Sequence, residues 1–83
     1  MVLKATVYTG LACTWCARVK SLLKDNDYEV EEIMINGQII EDLKERFDVS
    51  VITVPQVVID NSLIGGYNEV EALMKGPTAI NKV

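Results

Sequence analysis

The first 35 residues carry three patterns in succession, and their order restricts the fold more than any other feature of the chain. VLKATVY (2–8) holds Val2, Ala5, Val7 and Tyr8 and is rich in strand formers. From Thr14 to about Asn26, Cys16, Val19, Leu22 and Leu23 recur on one face, with Arg18, Lys20 and Lys24 elsewhere. That is the period of a half-buried helix. YEVEEIMI (28–35) begins with alternation and turns apolar, a second strand. A strand–helix–strand run of this kind places its strands parallel through a right-handed crossover, with the helix lying on the sheet.

The remaining patterns extend that sheet. Asn36 is a candidate cap for a helix over 38–47, with Ile39, Ile40, Leu43 and Phe47 as its buried stripe. DVSVITVP reads as a loop, PQVVID (55–60) as a third strand, NS as a tight turn and LIGG as a short fourth strand. YNEVEALMKG reads as a last helix with Val70, Leu73 and Met74 inward, Asn68 near its start and Gly76–Pro77 as its stop. The tail TAINKV is expected to be loose. The order is β-α-β-α-β-β-α: a four-stranded mixed sheet flanked by three helices, its last two strands a hairpin. Residues 1–83 are expected to form a single domain, and no repeat, linker or low-complexity segment interrupts them.

Composition removes several classes of function. The net charge of −4, with no basic run, argues against nucleic-acid binding. No apolar run approaches the ~20 residues of a membrane helix, and MVLKATVYTG lacks the layout of a signal peptide. The expectation is a cytoplasmic protein in a reducing compartment. The chain has no histidine. Cys–His catalysis, Ser–His–Asp triads and histidine metal sites are therefore closed to it. A tetrahedral zinc site takes four Cys or His ligands and this chain offers two, so no metal is expected.

Those two cysteines are Cys13 and Cys16, in CTWC. Cys13 falls at the junction of loop and helix and Cys16 in the first turn. The first N–H groups of a helix lack intrahelical partners, and the dipole there favours negative charge. A Cys13 thiolate is such a charge, so its pKa should fall below the free value of about 8.5. Arg18 and Lys20 are candidate sources of further attraction. A spacing of three brings Cys16 beneath Cys13. This suits a reversible disulfide in which Cys13 attacks an outside disulfide and Cys16 resolves the mixed disulfide. Cys16 lies on the apolar stripe and should be the more buried. Two ordinary core cysteines, or half of a metal site shared between chains, remain the competing readings of the pair; the strand–helix–strand setting favours the redox dithiol.

CTWC, TVPQVVID and IGGYNEV, in this order and at these spacings, together resemble a glutaredoxin over essentially the whole chain. The resemblance implies the thioredoxin fold and a glutathione-dependent thiol–disulfide oxidoreductase. In such proteins the proline of TVP follows a cis bond beside the dithiol. Thr53, Val54 and Pro55 would then clamp the cysteinyl backbone of glutathione as a short added strand. Gly66, Tyr67, Asn68 and Glu69 match the turn that holds the γ-glutamyl end. There Asn68 would cap the helix and Glu69 would pair with the ammonium, where the family more often has Asp. Trp15 stands where many glutaredoxins have Tyr or Phe, and would pack on the substrate beside the disulfide. Thr14 replaces the common Pro at a position that tunes redox potential.

The sequence departs from the pattern at Gly10, where many glutaredoxins carry a lysine that meets glutathione's glycyl carboxylate. Lys44 and Arg46 are the nearest substitutes in the chain. The implied reading is a monomer with no tightly bound cofactor and glutathione as co-substrate. Its partners would be protein disulfides and glutathione mixed disulfides, with ribonucleotide reductase a family-level candidate. Two alternatives stand beside it: a glutaredoxin-like donor reduced by thioredoxin reductase, and a module in which two chains hold an iron–sulfur cluster through Cys13 and glutathione.

Overall fold

The computed structural model describes residues 3–80, with side chains through residue 75. Strand β1 (Leu3–Thr9) leads through a short loop into helix α1 (Thr14–Asp25), and β2 (Tyr28–Met34) follows. Helix α2 (Gly37–Phe47) comes next, then the hairpin β3 (Gln56–Ile59) and β4 (Ser62–Gly65), and finally α3 (Tyr67–Ile80). The sheet order is β2-β1-β3-β4. β1 and β2 run parallel from Leu3↔Tyr28 to Thr9↔Met34, while β3 is antiparallel to both β1 and β4. This is the expected mixed α/β sheet of the thioredoxin fold. The expected strand residue Val2 and tail residues 81–83 lie outside the described residues.

Alternation in β1 decides which helix covers which face. Ala5 and Val7 point to one side and pack with Val19 and Leu23 of α1, Val57 and Ile59 of β3, and Val70 of α3. Tyr8 points to the other side and packs with Leu43 of α2 and Val58 of β3. Leu23 and Val70 are fully buried, and burying side chains of this size stabilises the fold by about 1.5–3 kcal/mol each. Asn36 caps α2 as expected: its side-chain oxygen accepts from the Ile39 N–H at 2.9 Å. Asp48 ends that helix in the left-handed region, with φ 54°.

Three local expectations need correction. The hairpin turn is Asp60–Asn61, not Asn61–Ser62: both residues have positive φ, 52° and 64°. Tight hairpins require positive φ at both central positions, and Asp and Asn tolerate it better than Ser. Ser62 therefore opens β4. The last helix does not stop at Gly76–Pro77 but runs to Ile80. Glycine in a helix costs only about 1 kcal/mol. Pro77 lacks the N–H that would bond the Leu73 carbonyl, and position 73 is on the exposed side of the helix. Leu73 itself is 45% exposed rather than inward.

On the edge strand β2, the Glu32 carboxylate accepts a hydrogen bond from the Lys20 ammonium of α1 at 2.8 Å. That partner holds the Glu32 pKa below its usual value. A carboxyl whose pKa is lower folded than unfolded binds its proton more readily in the unfolded chain. Its contribution is thus complete above the ordinary carboxylate range and is lost as pH falls through the depressed value. Glu32→Gln should remove that part of the acid sensitivity, with its small loss of stability present at neutral pH and fading as pH falls. Urea unfolding of both proteins across the acid range checks this; parallel stability–pH curves would contradict it.

Candidate active site

The site begins where β1 ends. After Thr9 and Gly10, Ala12 takes a left-handed conformation, φ 51°, and the chain turns into α1 at Cys13. Cys13 is the N-cap: its backbone is extended, with φ −101° and ψ 101°, and its Sγ accepts from the Cys16 N–H at 3.1 Å. A sulfur thus fills the place that Ser, Thr, Asp or Asn usually holds, facing the unpaired N–H groups of the first turn. Cys13 and Cys16 are joined as a disulfide, their Cα atoms 5.2 Å apart. Cys13 is half-buried, whereas Cys16 is 3% exposed. The asymmetry follows from the helix period, since Cys16, Val19 and Leu23 share the buried stripe.

Neither cation expected near Cys13 turns toward it. Lys20 is engaged by Glu32, and the Arg18 guanidinium lies over the Trp15 ring, 4.6 Å from its centroid. The stabilisation of negative charge at Cys13 therefore rests on the helix start itself.

An open groove of about 310 Å³ lies against Trp15, the residue between the two cysteines. Trp15 stands on one side, Thr53, Val54, Pro55 and Gln56 on a second, and Gly65 to Glu69 on the third. The Val54–Pro55 peptide is cis. Trp15 and Tyr67, both lining it, pack with ring centroids 5.2 Å apart. Pro55 and Gly66, both lining it, are close to each other: a Cβ on Gly66 would come 3.4 Å from the Pro55 carbonyl oxygen. The structure thus brings together every expected binding residue but one. Thr14 is exposed on the first turn and does not line the groove. Periodicity alone gives Gln56 and Gly65 to strands, yet both join the wall. The signal for Gln56 is a polar residue opening an otherwise apolar strand; its side-chain amide donates to Thr53 Oγ1 at 3.2 Å.

The start of α3 differs from expectation. Asn68 is not the cap; it is the second residue of the helix. Gly66 is the cap, since its carbonyl accepts the Val70 N–H at 3.0 Å. Glu69 reaches back, and its Oε1 accepts the Gly66 N–H at 2.8 Å. This is the return half of a capping box. It requires a glycine at 65: φ there is +124°, and a Cβ would lie 2.8 Å from Glu69 Cγ. Lys44 and Arg46 also stand away from the groove, Lys44 beside Glu41 at 3.8 Å and Arg46 donating to Asn61 at 3.1 Å.

Thr9, at the end of β1, is 1% exposed, and its hydroxyl makes no hydrogen bond. It lies near enough to the Glu32 carboxylate to add slightly to the effect of Lys20 there. A buried hydroxyl without a partner costs about 1–3 kcal/mol, and an apolar group of the same shape removes that cost. Thr9→Val should leave stability unchanged or raise it by up to ~1 kcal/mol. Chemical denaturation reads this directly, and a loss of more than ~1 kcal/mol would show that the hydroxyl has a partner.

A solvent-accessible sulfur at a helix start, a buried second sulfur one turn on, and a groove beside them define a thiol–disulfide oxidoreductase of the thioredoxin fold. The comparisons narrow the class. The glutaredoxin family model matches residues 5–64, and the chain belongs to that family. It is 40% identical over 70 residues to a glutaredoxin of Haemophilus influenzae, covering 76% of this chain and 80% of that one. It is 30% identical over 80 residues to glutaredoxin 1 of Escherichia coli, covering 88% and 94%. Among solved structures, reduced Escherichia coli glutaredoxin superposes with a TM-score of 0.72 at 29% identity, over 92% of this chain and 98% of that one. Glutaredoxin 1 of Francisella tularensis superposes with a TM-score of 0.76 over 96% and 99%; at 24% identity it speaks for the fold.

Proposed function

We propose that this protein is a dithiol glutaredoxin that uses glutathione to reduce protein disulfides and glutathione mixed disulfides. The observation that carries the reading is the groove that joins Trp15, set between the two bonded cysteines, to Val54 and Glu69. A thioredoxin-fold relative, buckwheat glutaredoxin, has been solved as its glutathione complex.

In this reading the Cys13 thiolate attacks a substrate disulfide. One sulfur leaves as a thiolate and takes a proton from water, and Cys13 is held in a mixed disulfide. With a protein substrate, Cys16 attacks Cys13, the substrate's second thiol departs reduced, and Cys13–Cys16 forms. Two glutathione molecules then restore the dithiol and leave as glutathione disulfide, so electrons balance at two per turnover. Val54 offers its backbone to the cysteinyl unit of glutathione, with Thr53 and Pro55 fixing that edge. Gly66, Tyr67 and Asn68 present the helix start to the γ-glutamyl carboxylate, and Glu69 faces its ammonium. Trp15 packs over the bound thiol, and Thr14, at the first helical position, sets the local geometry of the thiolate. The protein works as a monomeric single domain of the cytoplasm, with ribonucleotide reductase among its candidate substrates. No helix among the described residues is long and apolar enough to cross a membrane.

The test is turnover of a small glutathione mixed disulfide, coupled in one assay to glutathione with glutathione reductase and in another to thioredoxin reductase. Activity with the glutathione system supports the assignment. Activity confined to thioredoxin reductase would keep the dithiol chemistry and overturn the glutathione site.

A further inference from the structure

The core does not hold Trp15. It stands in the first turn of α1, is 49% exposed, and lies outside both core clusters. Its ring meets two partners. One is the Tyr67 ring of α3, 5.2 Å away between centroids and tilted by 53°. Tyr67 is half-buried and packs against the core, so it is the fixed side of that pair. The other is the Arg18 guanidinium, 4.6 Å from the Trp15 ring centroid.

Arg18 is not drawn elsewhere. It is exposed, and among the described residues no carboxylate pairs with it, whereas Lys20, Lys44 and Lys75 each have one. A spacing of three sets residues 15 and 18 side by side on the surface of α1. A planar guanidinium stacks on an aromatic face, and tryptophan is the aromatic that attracts a cation best. The contact is made within one helical turn, so it forms without help from the rest of the groove.

A half-exposed indole has several rotamers open to it, and fixing one of them costs free energy. A ligand that packs on the ring meets that cost on binding unless the protein has ordered the ring beforehand. Arg18 supplies such ordering. A cation near a reactive cysteine more often serves to favour its thiolate. Here the guanidinium is directed at the ring instead.

We propose that Arg18 is a positioning residue: it holds the Trp15 ring in the groove wall ready for substrate, and so acts on binding rather than on the charge of Cys13. The inference rests on the reading given above in which Trp15 packs on the bound thiol.

The experiment is a double-mutant cycle of Arg18→Gln and Trp15→Ala, with a small glutathione mixed disulfide as substrate. Both side chains lie outside the core clusters, so both variants should fold. Arg18→Gln should raise KM about two- to five-fold and leave kcat unchanged, the range of an exposed cation–π contact. Trp15→Ala should raise KM by more, and adding Arg18→Gln to it should change KM no further. Trp15 is the only tryptophan of the chain, so its fluorescence reports this ring alone. In reduced Arg18→Gln its anisotropy should fall, while the pKa of Cys13, read from alkylation, should stay at the native value. An equal rise in KM from Arg18→Gln with and without Trp15 would mean attraction of an anionic substrate by charge, and would overturn the proposal. So would a raised Cys13 pKa with a lower kcat, or an unchanged anisotropy. Those results would leave the role of Trp15 standing. An unchanged KM in Trp15→Ala would instead overturn the packing role of Trp15, and this inference with it.

Discussion

Cys13→Ser should reduce exchange with every disulfide substrate to background, a loss of at least ~100-fold. Two features of the site combine to give this size. Cys13 is the sulfur at the helix start, accepting the Cys16 N–H at 3.1 Å, so it is the one whose thiolate the first turn stabilises. The sulfur that remains, Cys16, is 3% exposed on the apolar stripe of α1. Burial raises a thiol's pKa, and an ordinary thiol is only a few per cent thiolate at pH 7. Cys16 is thus out of reach of an outside disulfide. Steady-state rates on a glutathione mixed disulfide and on a protein disulfide check this. Substantial residual activity on either would mean that Cys16 can attack for itself.

Cys16→Ser should separate the two substrate types instead. Removal of glutathione from a mixed disulfide needs only Cys13 and a second glutathione, so its rate should stay within about three-fold of the unchanged protein. Reduction of a protein disulfide needs the resolving attack. Without it the covalent complex must wait for an outside thiol, and the rate should fall by at least ~10-fold. Serine keeps the size of the buried group closely enough that the fold should survive, since Cys16 contributes little core volume beside Val19 and Leu23. The protein should also accumulate as a mixed disulfide at Cys13, visible as added mass that a reductant removes. Equal loss on both substrates would falsify the division of roles between the two sulfurs.

Much of this arrangement was legible because it depends on short-range pattern. The strand–helix–strand run predicted β1, α1 and β2 and their parallel pairing, since apolar period and chain length leave few alternatives. The burial of Cys16 and the cap at Asn36 follow from one helical turn each. The errors fall where the outcome depends on competition between neighbours. Asn68 is a better intrinsic cap than Gly66, but Glu69 folds back to the Gly66 N–H and so starts the helix two residues earlier than the Asn cap implies. Ser62 is a common turn residue, yet the positive φ of this hairpin goes to Asp60 and Asn61. Arg18 and Lys20 were candidate neighbours of Cys13 by charge. Only the fold shows that Trp15 and Glu32 engage them first. The groove is the least local feature of all. Its three walls come from α1, the segment before β3 and the start of α3, so resemblance to known sequences assembles it where periodicity cannot.

The measurement closest to the centre of this account is the pKa of the Cys13 thiol in the reduced protein, read from the pH dependence of its alkylation in Cys16→Ser. The helix start should hold that value within roughly 3.5–7.5, with the thiolate dominant at physiological pH. A value at or above the free-cysteine pKa of about 8.5 would contradict it: the N-cap position would then give no activation, and Cys13 would be an ordinary thiol on a familiar fold.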